Sequence, residues 1–422
     1  MNSFFHDINS ANLHFIGVFK YESKHIKNDL YSESSYFFNN QDYFYQKYYP
    51  NWLHSFFNQK TLPEYGINNN HLQLKKEHPL LRQKQELILR AGEEDKTIHY
   101  ALSSIEVFLF RANLGIFVIK TTLSNEHHNS EDIALFAKKF RNTTINSNYT
   151  NSDYSVSLIE KNIVSQFHSD SKSWRQYNPQ LKTAFFLDIA NQLKSDKMNQ
   201  LLFDIGTFTA PLYDDLFIPD SEYYERLIVD NTIALFQNWK VLSLYDSLTR
   251  IAVNLDKKDT FRLWENEYIL IYVYVLFARY YLYHINNQLT NIELNLNESQ
   301  LIRNNFHHFM NDFEHSKISY KYLPNEIFEK LKNVLGIKEE IVVVEQKINR
   351  INQRVQERYE KRVNAILVLL TILTVLSVAY DAGQMTLEWI NAKSQILKIP
   401  SFIFLIIISL ILVILFFRKK LK

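Results

Sequence analysis

The chain has 422 residues, room for one large or two ordinary soluble domains, and its 46% hydrophobic and 22% charged content excludes a disordered polypeptide. A net charge of +2 argues against a dominant basic face, so no direct nucleic-acid partner is expected. The absence of cysteine removes disulfides, thiolate-bound zinc and thiol catalysis together. With 7 glycines there is no phosphate loop or dinucleotide fingerprint, and no His-Glu-x-x-His occurs, so nothing in the sequence supports an enzyme.

In chain order, residues 1–7 lack the basic-then-apolar pattern of a signal peptide, which places the N-terminal bulk in the cytoplasm. Residues 13–21 read as a strand, and residues 22–70 as loop or irregular helix. Residues 105–110 and 115–121 flank a turn at Arg111-Ala112-Asn113-Leu114, a hairpin signal. Residues 132–141 have helical spacing, 142–153 form a polar loop, and 183–189 and 226–230 are further strand candidates. From residue 261 the chain reads mostly as helix, with a break at 286–298. Strands first and helices later predict an α+β cytoplasmic domain over residues 1–322. Residues 268–285 are nearly as apolar as a membrane span but carry Arg279 and His284. An arginine that deep is costly in lipid, so a buried helix of the soluble domain is predicted.

A stalk helix is expected over residues 323–362. Ile341, Val344, Ile348, Ile351 and Val355 recur at 3-4 spacing, the seam either of an intramolecular bundle or of a self-associating stalk that carries a pore helix. Residues 363–380 and 399–417 contain no charge, and each is long enough to span a bilayer. Arg354, Arg358, Lys361 and Arg362 precede the first run; Arg418, Lys419, Lys420 and Lys422 follow the second. The connecting residues 381–398 hold Asp381, Glu388, Lys393 and Lys398, which cancel. The positive-inside rule predicts a two-helix hairpin in the bacterial inner membrane with both chain ends cytoplasmic and 381–398 as an external loop. Between Gly336 and Gly383 there is neither glycine nor proline, so the stalk can run straight into the first span as a rod about 65–70 Å long. Asn364, Thr371, Thr374 and Asp381 fall within about 100° of arc, with Ser377 just beyond it. Such a stripe lines a pore with a carboxylate at its outer mouth, which favours cations, or else packs helix on helix through small polar groups. The second run is a lipid-facing outer helix.

A large cytoplasmic domain, long stalk, pore helix, short external loop, apolar outer helix and the basic tail 418–422 after Phe416-Phe417 resemble the CorA family of divalent-cation channels over residues 323–422. The resemblance implies an α/β/α sandwich in the cytoplasmic domain and a homo-pentamer lined by its first membrane helix. The tail would lie beside the stalk at the inner surface. The family's loop signature, Tyr-Gly-Met-Asn, is replaced by Tyr380-Asp381-Ala382-Gly383-Gln384-Met385. The tyrosine matches, but the triplet that holds hydrated magnesium is absent. A CorA-like chain of this kind looks like the membrane effectors encoded beside type III CRISPR systems. That likeness implies antiviral defence, with a cytoplasmic domain that senses an adenosylmethionine–AMP second messenger. The alternatives are a magnesium or cobalt transporter of the same family and a membrane-anchored interaction protein.

For an adenine nucleotide, Arg111, Arg141, Trp174 and Arg175 near element ends offer stacking and charge; each is otherwise ordinary surface or core. His308, Asp312 and His315, spaced i, i+4, i+7, share a helix face and have the ligand types for a divalent cation, or form a solvated face. Glu126-His127-His128 with Glu131 and Asp132 also offers ligand types and reads as a loop and helix start.

Overall fold

A computed structural model describes residues 8–26, 30–34, 49–57, 70–91, 94–143, 153–209, 220–254, 264–291, 296–315 and 317–390. The chain divides into two compact units, residues 1–287 with 306–344, and residues 288–305 with 345–422.

The first unit is built on a ten-stranded sheet among the described residues: β1 (Ile8–Lys20), β2 (Tyr31–Glu33), β3 (His71–Leu74), β4 (Lys84–Ala91), β5 (Glu94–Phe110), β6 (Leu114–Leu123), β7 (Lys182–Ile189), β8 (Thr232–Phe236), β9 (Trp239–Ser243) and β10 (Ser247–Val253). Their order is β2-β3-β5-β6-β1-β7-β10-β9-β8, with β4 pairing the first half of β5. All pairs are antiparallel except β7 with β10, where Thr183 faces Ser247. The helices are α1 (Asn51–Phe57), α2 (Pro79–Arg82), α3 (Ser130–Arg141), α4 (Asp153–Asn162), α5 (Ser195–Gly206), α6 (Ser221–Asn231), α7 (Ile269–Asn291), α8 (Leu296–Phe313), α9 (Tyr322–Val334) and α10 (Ile337–Ile390).

Side-chain alternation explains the layering. In β1, Leu13, Phe15 and Phe19 point one way and His14, Ile16 and Val18 the other, and all six are buried. A strand buried on both faces needs cover on both. On the first face Phe15 stacks on Phe140 of α3 at 4.2 Å, and Leu201, Leu202 and Ile205 of α5 join the same core. On the second, Phe110 of β5 meets Phe277 of α7 at 4.7 Å, and Phe186 of β7 meets Trp264 at 5.9 Å. Where β1 and β6 pair, Gly17 lies opposite Phe117 and Gly115 opposite Phe19. A Cβ on Gly17 would stand 2.3 Å from the Phe117 ring, so the glycines make the room the two rings fill.

The mixed α/β domain and the long C-terminal apolar helix agree with the sequence reading. The 105–121 hairpin is β5–β6, residues 183–189 fall in β7, and residues 268–285 lie in the buried helix α7. Residues 226–230 are not a strand. They belong to α6, which Asp220 caps by accepting from the Tyr223 amide at 2.9 Å. The expected stalk over 323–362 is two helices, because Gly336 at φ +62° ends α9 and lets α10 begin. The helix also runs through the expected external loop as far as Ile390. The second apolar run, 399–417, and the basic tail lie outside the described residues, so no hairpin is seen.

In the second unit, α10 continues without interruption to Ile390, and its 54 residues correspond to about 80 Å. Its seam is covered within the single chain: Val344, Ile348 and Val355 are buried, and Ile341 and Ile351 half-buried.

Candidate functional site

Two features stand apart from the packed apolar core. The first is the C-terminal part of α10. Among the described residues it is the one helix long and apolar enough to cross a membrane. No residue from 363 to 380 is buried, and Ile366, Leu367, Leu369, Leu370, Leu373 and Val378 all face outward. Water does not tolerate a helix that is apolar all round. The expected pore residues Asn364, Thr371, Thr374, Ser377 and Asp381 are all exposed on it. The hydroxyls of Thr371 and Thr374 donate back to the carbonyls of Leu367 and Leu370, at 2.7 and 2.8 Å. Back-bonding of this kind satisfies a hydroxyl without any partner outside the helix.

The second is a cation–tyrosine cluster in the first unit, where the parallel strands β7 and β10 begin and α3 and α5 end. Arg141 is the last residue of α3, Lys182 the first of β7, and Asp246 sits in the tight turn before β10. Lys182 Nζ donates to Asp246 Oδ1 at 2.7 Å, and Arg141 Nη2 lies 3.3 Å from Asp246 Oδ2. Arg141 also donates through Nε to the Leu181 carbonyl and covers the Phe208 ring at 3.9 Å. Lys182 lies 3.6 Å from the centre of the Tyr245 ring, and Arg279 of α7 reaches the same ring at 5.9 Å.

Two cations thus pair with one carboxylate, and a third, Arg279, approaches through the shared Tyr245 ring. Burial pushes the Lys182 ammonium below its ordinary range, and the neighbouring Arg141 and Arg279 push it the same way against the pull of Asp246. Burial lowers Arg141 too. Burial would raise the Asp246 carboxyl, but its bonds and charge contacts with Lys182 and Arg141 win and hold it below the usual carboxylate value. Tyr272 and Tyr280 of α7 are pushed up, mainly by burial, and stay neutral donors. The Tyr272 hydroxyl is buried with no hydrogen-bond partner among the described residues. Surplus positive charge, tyrosine rings and an unused phenolic donor suit an aromatic anion.

Arg279 connects this cluster to α10. It donates to the Leu335 carbonyl at 2.7 Å, capping the end of α9 beside Gly336. It also lies 4.0 Å from Glu340 in the first turn of α10, and Asn286 holds Glu340 at 3.1 Å.

Of the four residues expected to bind a nucleotide, only Arg141 joins this cluster. Trp174 is fully buried against the edge of Phe117. Arg175 is taken by Glu160 through Nε at 2.7 Å and Nη2 at 2.5 Å. Arg111 is exposed and paired with Asp312. That pairing also dismantles the expected metal face. Asp312 is engaged by Arg111, His315 lies past the end of α8 stacked on Trp52 at 3.8 Å, and His308 is exposed. The three do not converge: among the described residues the one group of three possible ligands within 4.8 Å is elsewhere. The sequence reading missed Lys182, Tyr245 and Asp246, which 64 positions bring together at one sheet end. The available signal was Arg279, a cation inside an apolar run.

No family model, curated protein or solved structure matches this chain.

Proposed function

We propose that the chain is an oligomeric membrane channel or effector of CorA-like architecture. Its α/β domain would be an α/β/α sandwich that senses a small aromatic anion, an adenine nucleotide of the adenosylmethionine–AMP type, as in type III CRISPR antiviral defence. Arg279 carries the reading, because one side chain touches both the cation–tyrosine cluster and the carbonyl next to Gly336, where α10 begins. A ligand that recruits Arg279 withdraws the cap of α9 and its charge from Glu340. The helix that starts there is the one with a membrane-length apolar segment. The two states differ in these contacts, so a ligand that favours one shifts the equilibrium.

The test is single-channel recording of the full chain in planar bilayers, with and without adenine nucleotides. Ligand-dependent opening that Lys182→Ala and Arg279→Met abolish supports the reading. Conductance unchanged across the nucleotides sinks it.

The membrane-anchor reading stays open because the Thr371 and Thr374 hydroxyls are satisfied inside their own helix. In that case the segment tethers the α/β domain to lipid and conducts nothing.

A further inference from the structure

A second polar cluster lies where β5, the end of β6 and the start of α3 meet. β6 ends at Leu123, which pairs with Tyr100, and the Ser124 amide donates to the His99 carbonyl at 3.0 Å. The chain then makes a single 3-10 turn over Asn125–His127. The turn sets Glu126 and His127 beside His99 of β5, with the two imidazole centres 5.7 Å apart. Asn129 caps α3 by accepting from the Asp132 amide at 2.8 Å, which fixes Asp132 under the turn.

We propose that His99, Glu126 and His127 bind one divalent transition-metal ion of the zinc class, with a coordination position open to solvent. The nitrogen and carboxylate atoms they offer lie within 4.8 Å of one another. His127 is 8% exposed, and its Nδ1 is 2.9 Å from Asp132 Oδ2. Asp132 is itself buried and ion-paired with Lys96, so it is an acceptor and Nδ1 carries the proton. In the neutral imidazole Nε2 then presents a lone pair. It is buried, has no hydrogen-bond partner among the described residues, and points toward Glu126 Oε1 at 3.6 Å. A cation between this nitrogen and the carboxylate would satisfy both. His99 repeats the pattern, with Nδ1 3.5 Å from Glu86 and Nε2 3.9 Å from the same Glu126 oxygen. An outer carboxylate on one imidazole nitrogen, with the other turned inward, is how proteins orient metal-binding histidines.

Ligand atoms around zinc sit about 3.3–3.5 Å apart when the bonds are about 2.0–2.2 Å. Closing to that distance asks little, because Glu126 is exposed and His99 partly so, while the buried His127 stays fixed. Two imidazoles and one carboxylate suit zinc, cobalt or nickel and not magnesium, which takes oxygen ligands. The ion differs in kind from any magnesium that a CorA-like pore would carry. His128 and Glu131 stay outside the set, since His128 is within hydrogen-bond distance of the Leu123 carbonyl and Glu131 lies near Lys96.

The test uses the full chain in detergent, stripped with chelator and titrated with cobalt(II) by visible absorption, followed by zinc competition. One cobalt per chain is expected, displaced by zinc and not by an equal concentration of magnesium. Glu126→Gln and His99→Asn are each expected to weaken binding at least ~10-fold. Zinc should raise the melting temperature of the parent chain and not that of Glu126→Gln, whose metal-free melting matches the parent. Absence of saturable cobalt binding, parental affinity in both variants, or displacement by magnesium overturns the proposal.

Discussion

At the scale of single residues, the sheet face under α7 holds an ion pair that water does not reach. Glu106 of β5 and Lys120 of β6 are 2.5 Å apart, and His71 of β3 approaches the same carboxylate at 3.2 Å. Burial alone would raise the Glu106 carboxyl, but the Lys120 charge and the His71 contact outweigh it and hold the group well below its ordinary range. Removing one partner strands the other, so Glu106→Gln should destabilise the domain by about 3–5 kcal/mol, read from chemical denaturation. Removing both in Glu106→Gln/Lys120→Met should restore most of the loss. The pH dependence has a definite sign. A carboxyl depressed in the folded state contributes stability that is complete above its unfolded pKa, near 4.3, and is lost as the pH falls toward the folded value. The parent chain should therefore lose stability below about pH 4.3, and the double variant should lose less. Parallel acid limbs for the two would refute the assignment. At residue scale little of this was legible in the sequence. Nothing in the spacing of His71, Glu106 and Lys120 says that three strands set them side by side.

At the scale of elements, the legible parts were those with a local signal. The 105–121 hairpin was readable because a turn tetrapeptide, 111–114, separates two apolar runs, and α7 because its arginine disqualified it from lipid. The 226–230 misreading shows the opposite case. Leu227, Ile228 and Val229 have strand propensity, but Ile228 is buried and Val229 exposed on a helix that Asp220 caps. The cap, six positions before the run begins, decides what the short apolar run cannot. Gly336 was visible as a glycine, but not as the boundary between two helices. Its left-handed φ is what constrains it, since a Cβ there would stand 3.4 Å from Arg279 Nη1, an ordinary contact distance. Gly336→Ala should cost about 1–2 kcal/mol through backbone strain, read by chemical denaturation. Gly17→Ala is expected to be harsher on folding, because its Cβ would stand 2.3 Å from the Phe117 ring and 2.8 Å from Leu181 in the sheet core.

At the scale of the whole molecule, the decisive contrast is between two apolar helices of similar composition. α7 is buried in the first unit, whereas residues 363–380 of α10 contain no buried residue. The sequence separated the two by the position of one arginine, and the structure separates them by burial. A charge placed in the exposed run tests what surrounds it. Leu370→Arg should oppose membrane insertion by about 2.5–3.5 kcal/mol, read by resistance to alkaline extraction. The same substitution in a water-exposed helix would leave extraction unchanged.

If the segment inserts, what it does there rests on its polar stripe. Both threonine hydroxyls donate to their own helix, but each keeps lone pairs that a permeating ion or water can meet. Thr371→Val/Thr374→Val removes those oxygens with almost no change in shape, and the helix loses no backbone hydrogen bond. Insertion should be unaffected. If the stripe lines a pore, unitary conductance should fall by about an order of magnitude, because an apolar constriction dewets. Asp381→Asn should reduce the preference for cations over anions without altering insertion, since it changes only the charge at the expected outer mouth. If the segment is an anchor, the parent chain gives no unitary currents and the two variants match it in extraction and in every ligand-binding readout. Recording the parent, the double threonine variant and Asp381→Asn in the same bilayers separates the two readings.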